Sequence, residues 1–237
     1  MDWSKARDEW RKARDNHGIK KGAVSGVSIG DTIEKVVKAE GKGYAALLSA
    51  AEALKTALEK YQAGLKKAKT GKDFSDWIDK NILKDTDALI TVAKADLATA
   101  LALHAKARDT VTLHSIFPDL MMVSRADALM KTDPSLTWPA AAAKTHEYAL
   151  AVACCKDVAT TAKAFRKVTF RHPLTTDHAA RLTTFGKDLE SDVKQALAWI
   201  TSKSREEFFA AHQAARGESW ASERQSEIAK IFTTLTK

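Results

Sequence analysis

The chain has 237 residues, of which 45% are apolar and 29% charged, and it carries a formal net charge of +8. Ten Gly and four Pro are about half the usual share, which excludes a turn-rich sandwich or barrel. Alanine fills 42 positions, the composition of helices whose axes approach closely.

The length is enough to bury a proper core. No run reaches the roughly 18 uninterrupted apolar residues of a bilayer span, so no transmembrane segment is expected. The first nine residues, Met1 to Glu9, lack the apolar stretch of a secretory signal. Cys154 and Cys155 are neighbours and cannot close a long loop, which argues against a disulfide framework. A cytoplasmic location is the expectation.

Helical periodicity begins at once. Trp3, Ala6, Trp10, Ala13 and His17 form one stripe, with Gly18 placed as a left-handed cap and Ile19 behind it. Residues 19–30 are the one glycine-rich interval and read as a loop. Asp31-Thr32-Ile33-Glu34 has the form of a capping box. From Tyr44 a seam of Leu47, Ala51, Leu54, Leu58, Tyr61, Leu65 and Ala68 follows heptad-like spacing. The spacing predicts one long helix over 32–69, weakened at Gly41–Gly43.

A short helix holds Phe74, Trp77 and Ile78. A third long one is predicted over 86–114 on the stripe Ile90, Ala93, Leu97, Ala100, His104, Ala107, Val111 and His114. Further helices are expected at about 118–131, 139–168 and 176–202. Ser204-Arg205-Glu206-Glu207 is a second capping box, Gly217 a stop, and Trp220, Ile228, Ile231 and Leu235 stripe the last helix.

The pattern predicts an all-α multi-helix bundle of about seven or eight helices, three or four of them long and roughly antiparallel. One domain over 1–237 is expected, with residues 132–138 as the place for any subdivision.

Several motifs could carry chemistry. Gly26-Val27-Ser28-Ile29-Gly30 is a literal G-x-S-x-G, but no parallel strands are predicted to support a nucleophile elbow, and a plain turn is the better reading. Gly18, Gly22, Gly26 and Gly30 recur every four residues around Lys20 and Lys21. Such a loop can form an anion-binding nest before a helix start.

No Glu has a His three residues on, and His146-Glu147 continues into Leu150 where a zincin helix needs its second His. His104 and His114 are about 15 Å apart along one helix, too far for one ion. No metal or cofactor is expected. Cys154 and Cys155 read as small buried apolar groups.

Two basic clusters stand out. Lys60, Lys66, Lys67, Lys69 and Lys72 gather at the end of one helix, and Arg166, Lys167, Arg171 and His172 at the end of another. A nucleic-acid reading makes these lysines, with Arg166, Lys167 and Arg171, phosphate contacts, and expects the clusters to be spatial neighbours. Trp3 and Trp10 on a helix bearing Lys5, Arg7, Arg11, Lys12 and Arg14 are candidate partner-docking residues. The leading expectation is a non-enzymatic interaction or structural protein acting through a helix face, with a protein partner or self-association. The alternative is a helical nucleic-acid-binding protein.

Overall fold

The structure is a computed structural model describing residues 1–67, 71–112, 116–117, 120–174, 177–214 and 219–237. Ala68, Lys69, His114 and Gly217, singled out above, lie outside the described residues. All described regular structure is helical, and the all-α expectation holds.

The helices are α1 (Trp3–Asn16), α2 (Ile29–Ala39), α3 (Tyr44–Lys67), α4 (Lys72–Ile78), α5 (Lys84–Thr112), α6 (Met121–Thr132), α7 (Trp138–Ala142), α8 (His146–Lys167), α9 (His178–Ile200), α10 (Arg205–Ala214) and α11 (Trp220–Leu235). A π-helical turn, Asp79–Leu83, joins α4 to α5 without a break. Counting that run once gives ten helices among the described residues, more than the seven or eight expected. Within the run, residues 88–105 are long and apolar enough on average to cross a membrane, although Lys94 and Asp96 interrupt them. Length and composition of this kind also occur in core helices of soluble proteins.

Two compact units divide the chain. The first comprises residues Met1–Leu101, Phe170–His178 and Thr233–Lys237; the second comprises Ala102–Thr169 and Ala179–Phe232. The 132–138 connection lies inside the second.

In the first unit α1 packs on α2, α2 on α3 and α3 on α4. The α1 stripe is buried at Trp3, Ala6, Trp10 and Ala13, and the α3 seam at Tyr44, Leu47, Ala51, Leu54, Leu58, Tyr61 and Leu65. Trp10 meets the rings of Tyr61 and Phe74 at 5.2 and 5.1 Å. The α1 ending is the expected one: Ile19 N–H donates to Arg14 O and Gly18 N–H to Asp15 O, the paired bonds of a Schellman turn.

The start of α2 differs from its predicted capping box. Ile29, 2% exposed, draws the helix back by most of a turn, so that Ser28 becomes the N-cap and Asp31 lies inside the first turn. Glu34 turns to Arg7 and Lys38 instead of reaching back.

The single helix over 32–69 is also corrected to two, α2 and α3. Gly43 adopts φ +144°, and a side chain there would run into the carbonyl oxygens of Thr234, Leu235 and Lys237. Those C-terminal residues complete the turn, since Ala46 N–H donates to Lys237 O at 2.6 Å. The glycines that weaken a helix locally are used here for a break and a close backbone approach.

Gln62, buried on α3, donates to Ser75 O and to the Asp79 carboxylate where the helix widens into its π turn.

In the second unit α6 packs on α7 and α8. Met122, Val123, Ala126, Trp138, Ala141, Ala142 and Phe208 form one core cluster. Phe165 meets Phe185 and Phe232. On α9, Gly186 permits contact with α8, for a Cβ there would sit 2.8 Å from Ala162 O. The second capping box is present in a shifted form: Ser204 Oγ accepts from Glu207 N–H, but Glu207 reaches back one residue further, to Lys203 N–H instead of that of Ser204.

Candidate anion-binding groove

Arg7, Arg11 and Arg14 recur at i, i+4 and i+7 on α1. The row spans about 10 Å of helix beside the buried stripe. Facing it is the 18–28 loop, which α3 holds in place: a Cβ on Gly64 would lie 2.7 Å from Val24 Cγ1, so the valine seats where α3 lacks a side chain. The space between is a groove of about 680 Å³. Its walls are the three arginines, Lys21 and the backbone of Gly22, Gly26 and Gly30; Trp10 and Tyr61 contribute to its floor.

The electrostatics are mixed in a definite way. Arg7 Nη1 binds Glu34 at 2.9 Å, while its Nε is buried without a hydrogen-bond partner among the described residues. The Glu34 carboxyl is held below its usual range by Lys38 first and Arg7 second. Arg14 places Nε and Nη2 on a single oxygen of Asp15, which leaves Nη1 uncommitted. Arg11 meets Asp8 only at 3.6 Å, with both side chains more than half exposed, so that pair is weak. Lys21 has no ion pair among the described residues. Asp31 is the one carboxylate in the lining.

At the far wall α2 begins. Ser28 is its N-cap but makes no side-chain capping bond, so the first-turn amides are not capped by a side chain. Positive side chains and a helix N-terminus therefore face one concavity, an arrangement that can hold an anion.

Ser28 of the G-x-S-x-G stretch is thus a residue at a helix start, with no strand among the described residues to support a nucleophile elbow. Trp3 and Trp10, the candidate docking residues, are 5% and 4% exposed and lie in the core, with only a small part of Trp10 reaching the groove. The reason is the α1 stripe itself, which is covered by the remainder of its unit.

Lys60, Lys66, Lys67 and Lys72 are exposed and without ion pairs among the described residues. They belong to the first unit with Arg171, whereas Arg166 and Lys167 belong to the second. Arg166 is already engaged, with Nη1 on both oxygens of Glu190 at 2.8 and 2.7 Å. His104 stacks on Phe232, with ring centroids 4.8 Å apart. Among the described residues no group of three His, Cys, Asp or Glu is placed to hold a metal ion.

The sequence shows the arginine row and the glycine loop separately. The i, i+4, i+7 arginine spacing directly before a glycine-rich interval is the signal that could have joined them.

Compared with known proteins, the chain matches no family model, no curated relative and no solved structure.

Proposed function

We propose that this protein acts by binding, as a non-enzymatic helical interaction protein that recognises an anionic partner through the outer face of α1. The observation that carries the reading is the convergence of Arg7, Arg11, Arg14 and Lys21 on one groove. Several buried polar groups elsewhere are committed to the fold, which supports binding over chemistry. Asp192 accepts from Trp220 and Arg224, Asp96 accepts from two backbone amides, and burial raises both cysteine thiols away from the reactive thiolate.

A second reading, contact with a nucleic-acid backbone, is favoured by the exposed and unpaired Lys60, Lys66, Lys67 and Lys72.

Fluorescence anisotropy with a labelled mixed-sequence DNA duplex and a labelled oligoglutamate peptide, at about 50 and 200 mM salt, tests both. Arg7→Glu/Arg11→Glu reversal is expected to weaken binding about tenfold or more. If Lys66→Glu/Lys67→Glu alone removes DNA binding, the nucleic-acid reading replaces the first. Absence of binding to either polymer at low salt overturns both.

A further inference from the structure

We infer that the groove between α1, the 18–28 loop and the start of α2 is a binding site for the phosphate group of a small organic phosphate of nucleotide size. The inference rests on the anion-binding reading and goes further by naming the ligand.

Three observations point to a phosphate in particular. The groove, at about 680 Å³, falls within the usual range for small-molecule sites and is small for a folded polymer. Its cations are chiefly arginines, whose planar forks match phosphate oxygens two at a time. Arg7 Nε is buried against the start of α2, with the Cβ position of Gly30 3.7 Å from it, which fixes the guanidinium beside that helix N-terminus at the groove.

The remaining lining mixes the exposed Ser25 and Ser28 with Val24 and Val27, over the nearly buried Trp10, Tyr61 and Ile29. That suits a small, partly polar body attached to the phosphate. Burial pushes the Tyr61 hydroxyl up from its ordinary value, with Arg14 acting the other way, so the phenol adds no negative charge at neutral pH. Asp31 is the only opposing charge in the lining and stands exposed. It places an upper limit on how much anion the groove accepts.

The test is isothermal titration calorimetry of the full chain with AMP, inorganic pyrophosphate and adenosine, without magnesium, at about 50 mM salt. A parallel arm measures sedimentation with phosphatidylcholine vesicles carrying phosphatidic acid, which presents the same phosphate monoester on a lipid. AMP or pyrophosphate is expected to bind and adenosine to bind at least about tenfold more weakly. Arg7→Gln/Arg11→Gln/Arg14→Gln should remove the phosphate-dependent binding, and Lys21→Gln should weaken it about threefold. Asp31→Asn should strengthen it, while Lys163→Gln, an exposed lysine of the second unit, leaves it unchanged.

Vesicle binding that depends on the same arginines supports the phosphate site with a lipid as its source. No binding of AMP, pyrophosphate or vesicles overturns the inference, as does binding indifferent to the arginines. Should the triple variant fail to fold by circular dichroism, Lys21→Gln and Asp31→Asn decide, since both residues are exposed and outside the core. Groove-dependent binding of oligoglutamate without AMP binding would sink this inference and leave the anion reading standing.

Discussion

The carboxylate of Asp96, 2% exposed on α5, accepts the backbone N–H of His172 at 2.8 Å and that of Arg171 at 3.1 Å. The same loop is held from its other side: Tyr44 Oη donates to His172 O at 2.9 Å, and His172 Nε2 lies 3.2 Å from Glu40 Oε1. One buried charge thus fixes residues 170–172 within the first unit. Replacing Asp96 with Asn keeps one acceptor but turns an amide N–H₂ toward a backbone N–H. Asp96→Asn is expected to destabilise the chain by about 2–3 kcal/mol and Asp96→Ala by at least as much. Urea unfolding followed by circular dichroism measures this, and a change of only a few tenths would show that the loop is held elsewhere.

Asp96 also shows where sequence reading reaches its limit. The α3 seam from Tyr44 to Leu65 is legible because it is continuous, apolar and regularly spaced, and every named position is buried. On α5 the predicted stripe included Ile90, Leu97 and His104, but those are only half-buried. The buried line instead runs through Ile82, Thr86, Leu89, Ala93, Asp96 and Ala100. Apolar periodicity passes over Thr86 and Asp96 because their burial depends on partners. Thr86 donates to Ile82 O within the helix, whereas Asp96 takes amides from 75 residues away. The groove is a similar case. Its arginine row is written in α1, but the wall opposite depends on where Val24 seats on Gly64, which no local pattern reports.

Gly43 supplies a second prediction. Its φ of +144° is rarely adopted by residues with side chains, and the carbonyls of residues 234–237 leave no room for a Cβ. Gly43→Ala is expected to cost about 2–3 kcal/mol through strain and the displaced C-terminal contact. Gly22→Ala shares a positive φ but meets nothing within 4 Å, so it should cost only the conformational part, about 1 kcal/mol. Parallel thermal unfolding of the two variants gives the comparison; equal losses would refute the role assigned to the C-terminal carbonyls.

In the second unit, Asp192 accepts from Trp220 Nε1 at 2.8 Å and Arg224 Nε at 2.7 Å, with all three residues buried. Burial opposes the Arg224 charge, but Asp192 and Glu227 more than offset it and hold the guanidinium charged. Removing only the carboxylate strands a buried cation. Asp192→Ala should therefore destabilise by about 3–5 kcal/mol, and Asp192→Ala with Arg224→Met should recover part of that loss. A double-mutant cycle in urea checks the pair, and strictly additive losses would show that the two do not interact.

Cys155 supplies a prediction that depends on pH. It is 3% exposed, its Sγ lies 3.8 Å from Ile116 O, and burial pushes its thiol up to about 11, with the adjacent Cys154 adding to the rise. Burial also raises Cys154, with Asp157 contributing. The folded chain therefore keeps its protons at a pH where the unfolded chain has begun to lose them. Stability from this source is fully present below the ordinary thiol value of 9.0 and is lost as the pH rises from there toward 11. Denaturant midpoints measured from pH 8 to 11 should fall more for the wild type than for Cys155→Ala, which keeps only the less buried thiol of Cys154. In the folded chain, reaction of Cys155 with a thiol reagent at pH 8 should be slow and should accelerate on unfolding, because the thiolate is the nucleophile. Rapid labelling of both cysteines in the native state would contradict the burial that places Cys155 against Ile116.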